Sequence, residues 1–325
     1  RILEEVRHRY PVEGVFCNMR GYRRRDYTGN YVGICQCESC KARFYEETGM
    51  KLPAKEDMAD PVFLRYRLFK QDTVDSLLEK ISGAVHAISD EVAVCTYSHK
   101  GVDIVRNESN SAVDRPLPFF VYNSEFNVSV VNDSFDDKIS SNCVINAVDI
   151  PYRFMGVSKY LNQIRLYGNM AAGGGLDWCI IGYFEAYPDR ENFETVKEVF
   201  HFYQQHEAVY SHLQRQARIL LVTEQAFGMH GGSSHETLGV YKMLKENHLL
   251  FDVVDHRELD AAVPRLGRYE WVLLPGLTRL PEGPFLNALR TGKQKVLATG
   301  LALEGEPTLL RELFGISLGE PLSPV

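Results

Sequence analysis

No apolar run in this chain reaches the roughly 18 residues that a membrane-spanning helix needs. Positive charge is also scarce: 36 Lys and Arg stand against 43 Asp and Glu over 325 residues, a formal net charge of −7. Nucleic-acid binding rests on a cationic footprint, so a polyanion partner is disfavoured. The one basic run, Arg20, Arg23, Arg24 and Arg25, is interrupted by Tyr22 and followed by Asp26, which reads as a solvated or ligand-facing loop. No secretory leader is visible, and a cytoplasmic location is the expectation. An initiator Met is missing too. The opening "RILEEVRHRYPVEGVF" starts part-way through what reads as a helix running into a strand, which raises the expectation of a fragment.

What is present is ordinary globular composition, 45% hydrophobic and 24% charged, with length for two domains or for a barrel plus an extra module. The apolar runs "VEGVFCNM" (12–19), "EVAVCTYS" (91–98), "LPFFVYN" (117–123), "NCVINAVDI" (142–150) and "LDWCIIGYF" (176–184) are near-continuous rather than alternating. Strands buried on both faces of a parallel sheet read that way. Helical patterns occupy 37–49, 158–171 and 192–212. In the long helix between the first two strands, Val62, Tyr66, Phe69, Leu77, Ile81, Val85 and Ile88 keep one apolar stripe. Five such units starting in mid-helix predict an α/β fold that is the C-terminal part of a (β/α)₈ TIM barrel, over residues 1–213. Residues 214–325 predict a small doubly wound α/β domain, with strands at "ARILLVT", "LLFDVVD", "YEWVLLPG" and "QKVLATG". That domain has no dinucleotide-binding glycine motif and no Walker motif.

Seven cysteines are an odd number, and Cys17, Cys95, Cys143 and Cys179 lie in or beside strand-like runs, as buried reduced thiols do. The other three form "CQCESC": Cys35, Cys37 and Cys40. C-x-C-x-x-C offers three soft thiolates on one turn, a pattern that suits tetrahedral zinc. A redox role is less favoured, since Cys35 has no place in a C-x-x-C redox turn. The fourth ligand stays open between Cys17, Asp26 and a group outside this sequence.

A strand ending in Asn, then a loop, then C-x-C-x-x-C leading into a helix with "ARF" resembles glycoside hydrolase family 42, the β-galactosidases. It resembles more closely the "hypothetical glycosyl hydrolase 6" relatives. The resemblance implies a barrel followed by a trimerisation-type domain of flavodoxin-like or class I amidotransferase-like fold. It implies a structural zinc on Cys35, Cys37 and Cys40, a carbohydrate substrate and a homo-oligomer, dimer or trimer. Amidotransferase chemistry itself is excluded, because no cysteine follows Cys179. The family's Asn-Glu pair would fall on Asn18-Met19, so the usual acid/base Glu is replaced.

Barrel enzymes place their chemistry at the C-terminal ends of strands, and glycoside hydrolysis uses two carboxyl groups. The catalytic candidates are Glu125, Glu108 and Asp149. Asn18, Arg20, Arg106, Tyr152, Arg153 and Glu185 are the candidate substrate-binding groups. The expectation is a glycosidase of β-galactosidase-like class. The alternative is an inactive barrel that binds carbohydrate or serves as a scaffold.

Overall fold

The computed structural model describes residues 2–18, 21–26, 30–111, 121–214, 216–224 and 235–319. By contacts the chain divides into two compact units, Arg1–Asp103 and Ile104–Val325.

The first unit holds α1 (Ile2–Arg9), β1 (Gly14–Phe16), α2 (Glu38–Thr48), α3 (Pro61–His86) and β2 (Ala93–Thr96). β1 and β2 are parallel, Gly14 opposite Ala93 and Phe16 opposite Cys95. Helix α3 starts where the sequence stops a loop and fixes a turn. Asp60 caps it by accepting the Val62 N–H at 2.9 Å, and Pro61 occupies the first turn, where no intrahelical N–H partner is lost. Its buried stripe is Phe63, Tyr66, Phe69, Leu78, Ser82 and Val85. The predicted stripe shares Tyr66, Phe69 and Val85 with it; Leu77 is exposed, and Ile88 lies beyond the helix end. Phe44 of α2 packs edge-on to Tyr66 and Phe69, and Ile34 joins the same cluster.

The second unit continues with β3 (Ile104–Ser109), α4 (Asn123–Ser134), β4 (Ile139–Ile145), α5 (Lys159–Ala171), β5 (Gly175–Cys179), α6 (Glu191–Gln205) and α7 (Glu207–Tyr210). β3, β4 and β5 are parallel and adjacent in chain order. Helices separate β1 from β2, β3 from β4 and β4 from β5, as in a (β/α) barrel, while no helix lies between β2 and β3. The predicted strand at 117–123 lies mostly outside the described residues; of it, 121–122 form a turn and 123 opens a helix. A strand not expected from the sequence is "IVRNES" at 104–109. Its charged alternate residues read as a loop, yet they occupy one face while Val105, Asn107 and Ser109 are buried on the other.

After the linker come β6 (Ile219–Thr223), α8 (His235–Glu246), β7 (Phe251–Asp255), a 3₁₀ segment (Leu259–Arg268), β8 (Trp271–Pro275), α9 (Pro284–Thr291), β9 (Lys295–Thr299) and α10 (Pro307–Phe314). These four strands form a second parallel sheet in the order β7-β6-β8-β9.

Helix α4 belongs to both sheets. Phe126 and Val130 pack with Leu221, Val253 and Leu273 of the second sheet and with Tyr241 and Leu244 of α8. At its C-terminal end, Asp133 Oδ2 accepts the Val253 N–H at 2.8 Å, and Ser134 Oγ accepts the Asp255 N–H at 3.0 Å. An edge strand leaves a row of unpaired N–H groups, and two side chains of α4 satisfy two of them on β7. Among the described residues no helix is long and apolar enough to cross a membrane.

Candidate functional site

The site begins with the alternation of β3. In the register, Glu108 lies opposite Cys143 of β4, and Cys143 opposite Asp177 of β5. Three adjacent strands therefore present carboxylate, thiol and carboxylate in one row. Arg106 lies two residues before Glu108, on the same face. Its Nη1 donates to Glu108 Oε1 at 3.0 Å, and its Nε donates to Asp177 Oδ2 at 2.5 Å. Asn110 Nδ2 reaches Glu108 Oε2 at 3.4 Å. The three charged side chains are only 16%, 12% and 29% exposed. Partly desolvated charges need such pairing, because an unpaired buried charge is costly. Cys143 and Cys179 fill the same face with Ile145, Ala147 and Ile181. The neighbouring Cys179 thiol and burial both push the Cys143 thiol up, so it stays protonated.

The opposite face of these strands meets the helices through amides and hydroxyls. Asn142 Nδ2 donates to Ser109 Oγ and Ser124 Oγ, Ser124 donates to Asn169, and Asn169 Nδ2 returns to the Asn142 carbonyl. Arg165 of α5, 2% exposed, reaches the carbonyls of Ser109 and Asn110 at 3.4 Å and Ser111 Oγ at 3.3 Å. Desolvation pulls its guanidinium down to about 10. These contacts fix the chain leaving β3, directly after Glu108.

The loops after β4 and β5 emerge at the same end. Asp149 is half-buried and accepts the Ile150 N–H at 2.6 Å. Tyr152, Arg153 and Glu185 are exposed, with Arg153 stacked 5.2 Å over Phe154.

Not every predicted candidate joins this group. Glu125 stands in the first turn of α4, on the helix side of the sheet, and its Oε1 pairs with Lys245 of α8. It lines a cleft of about 1260 Å³ with Asp133, Lys138, Tyr241 and Arg268. Glu125 thus stands on a helix, and most of the strand expected before it lies outside the described residues. Asn18, past β1 in the first unit, accepts from Tyr97 Oη at 3.3 Å. Arg20 and Met19 lie outside the described residues. Asp177 was missed by sequence reasoning. Its signal was a lone acid inside an otherwise apolar strand, which in a parallel sheet marks an occupied inner face.

In the first unit the sulfur atoms of Cys35, Cys37 and Cys40 all lie within 4.8 Å of one another. Cys37 caps α2 by accepting the Cys40 N–H at 3.5 Å, and that bond lowers its thiol. Burial, then the neighbouring thiols, push Cys40 up to about 11. Tetrahedral zinc with 2.3 Å bonds holds its sulfurs about 3.8 Å apart, so the donor set and spacing fit zinc. Among the described residues no fourth His, Cys, Asp or Glu joins the three. Asp26 turns its carboxylate to the backbone and side chain of Asn30.

No protein-family description and no curated protein matches the chain. Solved structures do. The α-L-fucosidase isoenzyme 2 from Paenibacillus thiaminolyticus superposes with a TM-score of 0.65 at 18% identity, over 95% of this chain and 45% of the fucosidase. Gan42B, a GH42 β-galactosidase, superposes with a TM-score of 0.61 at 13% identity, over 84% of this chain and 50% of that one. The likeness shows the fold alone, that of part of a TIM barrel. The chain spans about half the length of either structure.

Proposed function

We propose that this chain carries part of the active face of a glycosidase acting on O-glycosidic bonds, of β-galactosidase-like class. The observation that carries the reading is the inner-face row of Glu108 and Asp177 joined by Arg106. One guanidinium and two hydrogen bonds keep the paired oxygens within about 8 Å of each other. That bound includes the retaining separation of about 5 Å and the shorter part of the inverting range. Glu108 and Asp177, which share one arginine, are assigned to the nucleophile and base roles. The proton donor is then assigned to Asp149 at the end of β4. Glu125, tied to Lys245, is assigned to packing. Asn18 and Arg20, at the end of the first predicted strand, stay candidate sugar-binding groups.

The test is turnover of an aryl glycoside panel that includes β-galactosides and α-fucosides. Glu108→Gln and Asp177→Asn should each lower kcat/KM on the order of a thousandfold with the fold intact by circular dichroism. Wild-type activity that survives both changes removes the assignment. The alternative, an inactive carbohydrate-binding scaffold, is favoured by Asn18-Met19 standing where the resemblance expects Asn-Glu. Sugar binding without turnover of any panel member would establish it.

The same proposal places a structural zinc on Cys35, Cys37 and Cys40. Three thiolates plus a fourth ligand leave no open position for water, so the metal would brace the loop before α2 and take no part in the reaction. Elemental analysis should find one zinc per chain, lost when Cys37 and Cys40 are both changed to Ser. The four-stranded part is proposed to be flavodoxin-like, supported by its 2-1-3-4 strand order. Its role is proposed to be assembly into a dimer or trimer. Light scattering that finds a monomer at micromolar concentration would remove that role.

A further inference from the structure

The loops after β4 and β5 hold aromatic side chains in water where a fold would ordinarily bury them. Tyr152 is 52% exposed, Phe154 48%, Tyr183 80% and Phe184 54%. Scattered exposed apolar residues need no explanation, but a concentrated group on adjacent loops does. These two loops are also braced against each other. The Tyr187 hydroxyl lies 2.9 Å from the carbonyls of both Asn146 and Arg153. Asp189 Oδ2 accepts the Gly156 N–H at 2.8 Å. Asn192 Nδ2 donates to Asn146 Oδ1 at 3.0 Å and to the Val157 carbonyl at 2.7 Å. Around Gly156 the packing leaves no room for a side chain: a Cβ would meet Asn192, Asn146 and Asp189 at 2.8 to 2.9 Å. Phe184 is held from below by Phe193 and Trp178, at centroid distances of 5.7 and 6.4 Å. The exposed rings therefore stand on a fixed base.

Their surroundings narrow the ligand. Charged planar groups alternate with the rings, namely Asp149, Arg153, Glu185 and Arg190. A protein partner that buried four aromatics would meet these charges as a desolvation cost. A pyranose suits the mixture, since it has a C–H face that packs on a ring and a rim of hydroxyls that bond to carboxylate and guanidinium. The platform rises at the C-terminal ends of β4 and β5, the end at which Glu108 closes β3. A bond cleaved at the carboxylate row would have the next sugars of its chain lying over these loops.

We infer that the Tyr152–Phe154 and Tyr183–Phe184 loops form a rigid platform for a linear oligosaccharide, extending past the glycosidic bond at the carboxylate row. The inference rests on the glycosidase reading for what happens to that bond, but sugar binding itself requires no turnover. Because the loops are pre-ordered, each further sugar adds contact without the entropy of ordering a loop.

Isothermal titration calorimetry on the full chain tests it. The probes are the β-1,4-linked xylo-, cello-, manno- and galacto-oligosaccharides of two to six units, each beside its monosaccharide. At least one series should bind with Kd falling about tenfold or more from disaccharide to tetrasaccharide. Tyr152→Ala and Tyr183→Ala should each weaken the tetrasaccharide about tenfold while leaving the disaccharide within about twofold. Tyr160→Ala, a change at an exposed ring on α5, should leave both unchanged. Binding independent of chain length, binding unmoved by both variants, or no binding by any series overturns the platform. Turnover of aryl glycosides separates the two readings. Activity with no dependence on chain length keeps the glycosidase and sinks the platform. Length-dependent binding with no turnover of any series keeps the platform and sinks the glycosidase.

Discussion

The β3-β4-β5 sheet and the β7-β6-β8-β9 sheet follow the same strand–helix alternation, and α4 packs on both. They differ in what their faces carry. The central strands β6 and β8 bury Leu220, Leu221, Val222, Val272, Leu273 and Leu274, and helices cover both faces. Carboxylates appear only on the edge strand β7, where Asp252 accepts the Tyr269 hydroxyl at 2.6 Å and Asp255 is bound by Arg257. The first sheet instead gathers Arg106 and Glu108 of β3 and Asp177 of β5 on one face, joined by ion pairs beside two thiols. Aliphatic burial stabilises at about 25 cal/mol per Å², whereas a desolvated ion network roughly breaks even. A fold that needed only stability would fill both sheets alike. The charged row is thus the part of the molecule whose residue types aliphatic burial does not explain.

Breaking the charged row should have the largest effect. Arg106→Met leaves two partly buried carboxylates facing each other and should lower stability by about 3 kcal/mol or more, read as a fall in the urea midpoint. Changing Arg106, Glu108 and Asp177 together to Met, Gln and Asn should recover much of that loss, because no unpaired charge is left. A single Arg106→Met variant as stable as wild type would erase the contrast between the sheets.

The matching change in the apolar sheet is Leu220→Ala, which should cost about 3 kcal/mol through lost burial and a residual cavity. Here the expected difference is functional. Below its melting temperature this variant should keep wild-type sugar binding, while Arg106→Met should not. Equal losses of binding in both would mean that the four-stranded part also shapes the site.

The link between the sheets is tested by Asp133→Ala. It orphans the Val253 N–H and should cost about 1 to 2 kcal/mol. Hydrogen exchange should rise at Val253 more than at Val144 of β4.

The smallest effect is on alkaline stability. Burial holds Tyr241 well above the ordinary phenol range, and burial together with the bond to Asp252 raises Tyr269. In the unfolded chain both ionise near pH 10, so above that pH the unfolded state releases protons that the folded state keeps. Their contribution is complete below pH 10 and is lost as pH rises past it. The urea midpoint should fall between pH 9.5 and 11, and Tyr241→Phe should flatten that fall.

Some of this was legible in the residues alone. The near-continuous apolar runs at 219–223, 251–255 and 271–275 announced buried parallel strands because both of their faces meet helices. The spacing of Tyr66, Phe69 and Val85 announced α3 because helical periodicity is local. C-x-C-x-x-C announced a thiol cluster because one turn suffices to gather its members. Helix α4 was not legible. Val128, Val130 and Val131 are β-branched and lower helix propensity, and burial between two sheets overrides that preference. Strand β3 was hidden for the converse reason, since Arg106 and Glu108 read as a surface loop unless their partner is known.

The sequence by itself determined the α/β class, the helices at 38–48 and 159–171, the apolar strands and the three-thiol turn, all set by interactions within a few residues. Only the tertiary structure decided that Asp177 meets Arg106 across 71 positions, that Glu125 belongs to Lys245 across 120, and that the aromatic loops after β4 and β5 share one base. Those pairings depend on the register of parallel strands joined by long crossovers. No local pattern encodes that register, because hydrogen bonds and burial select it only once the strands lie side by side.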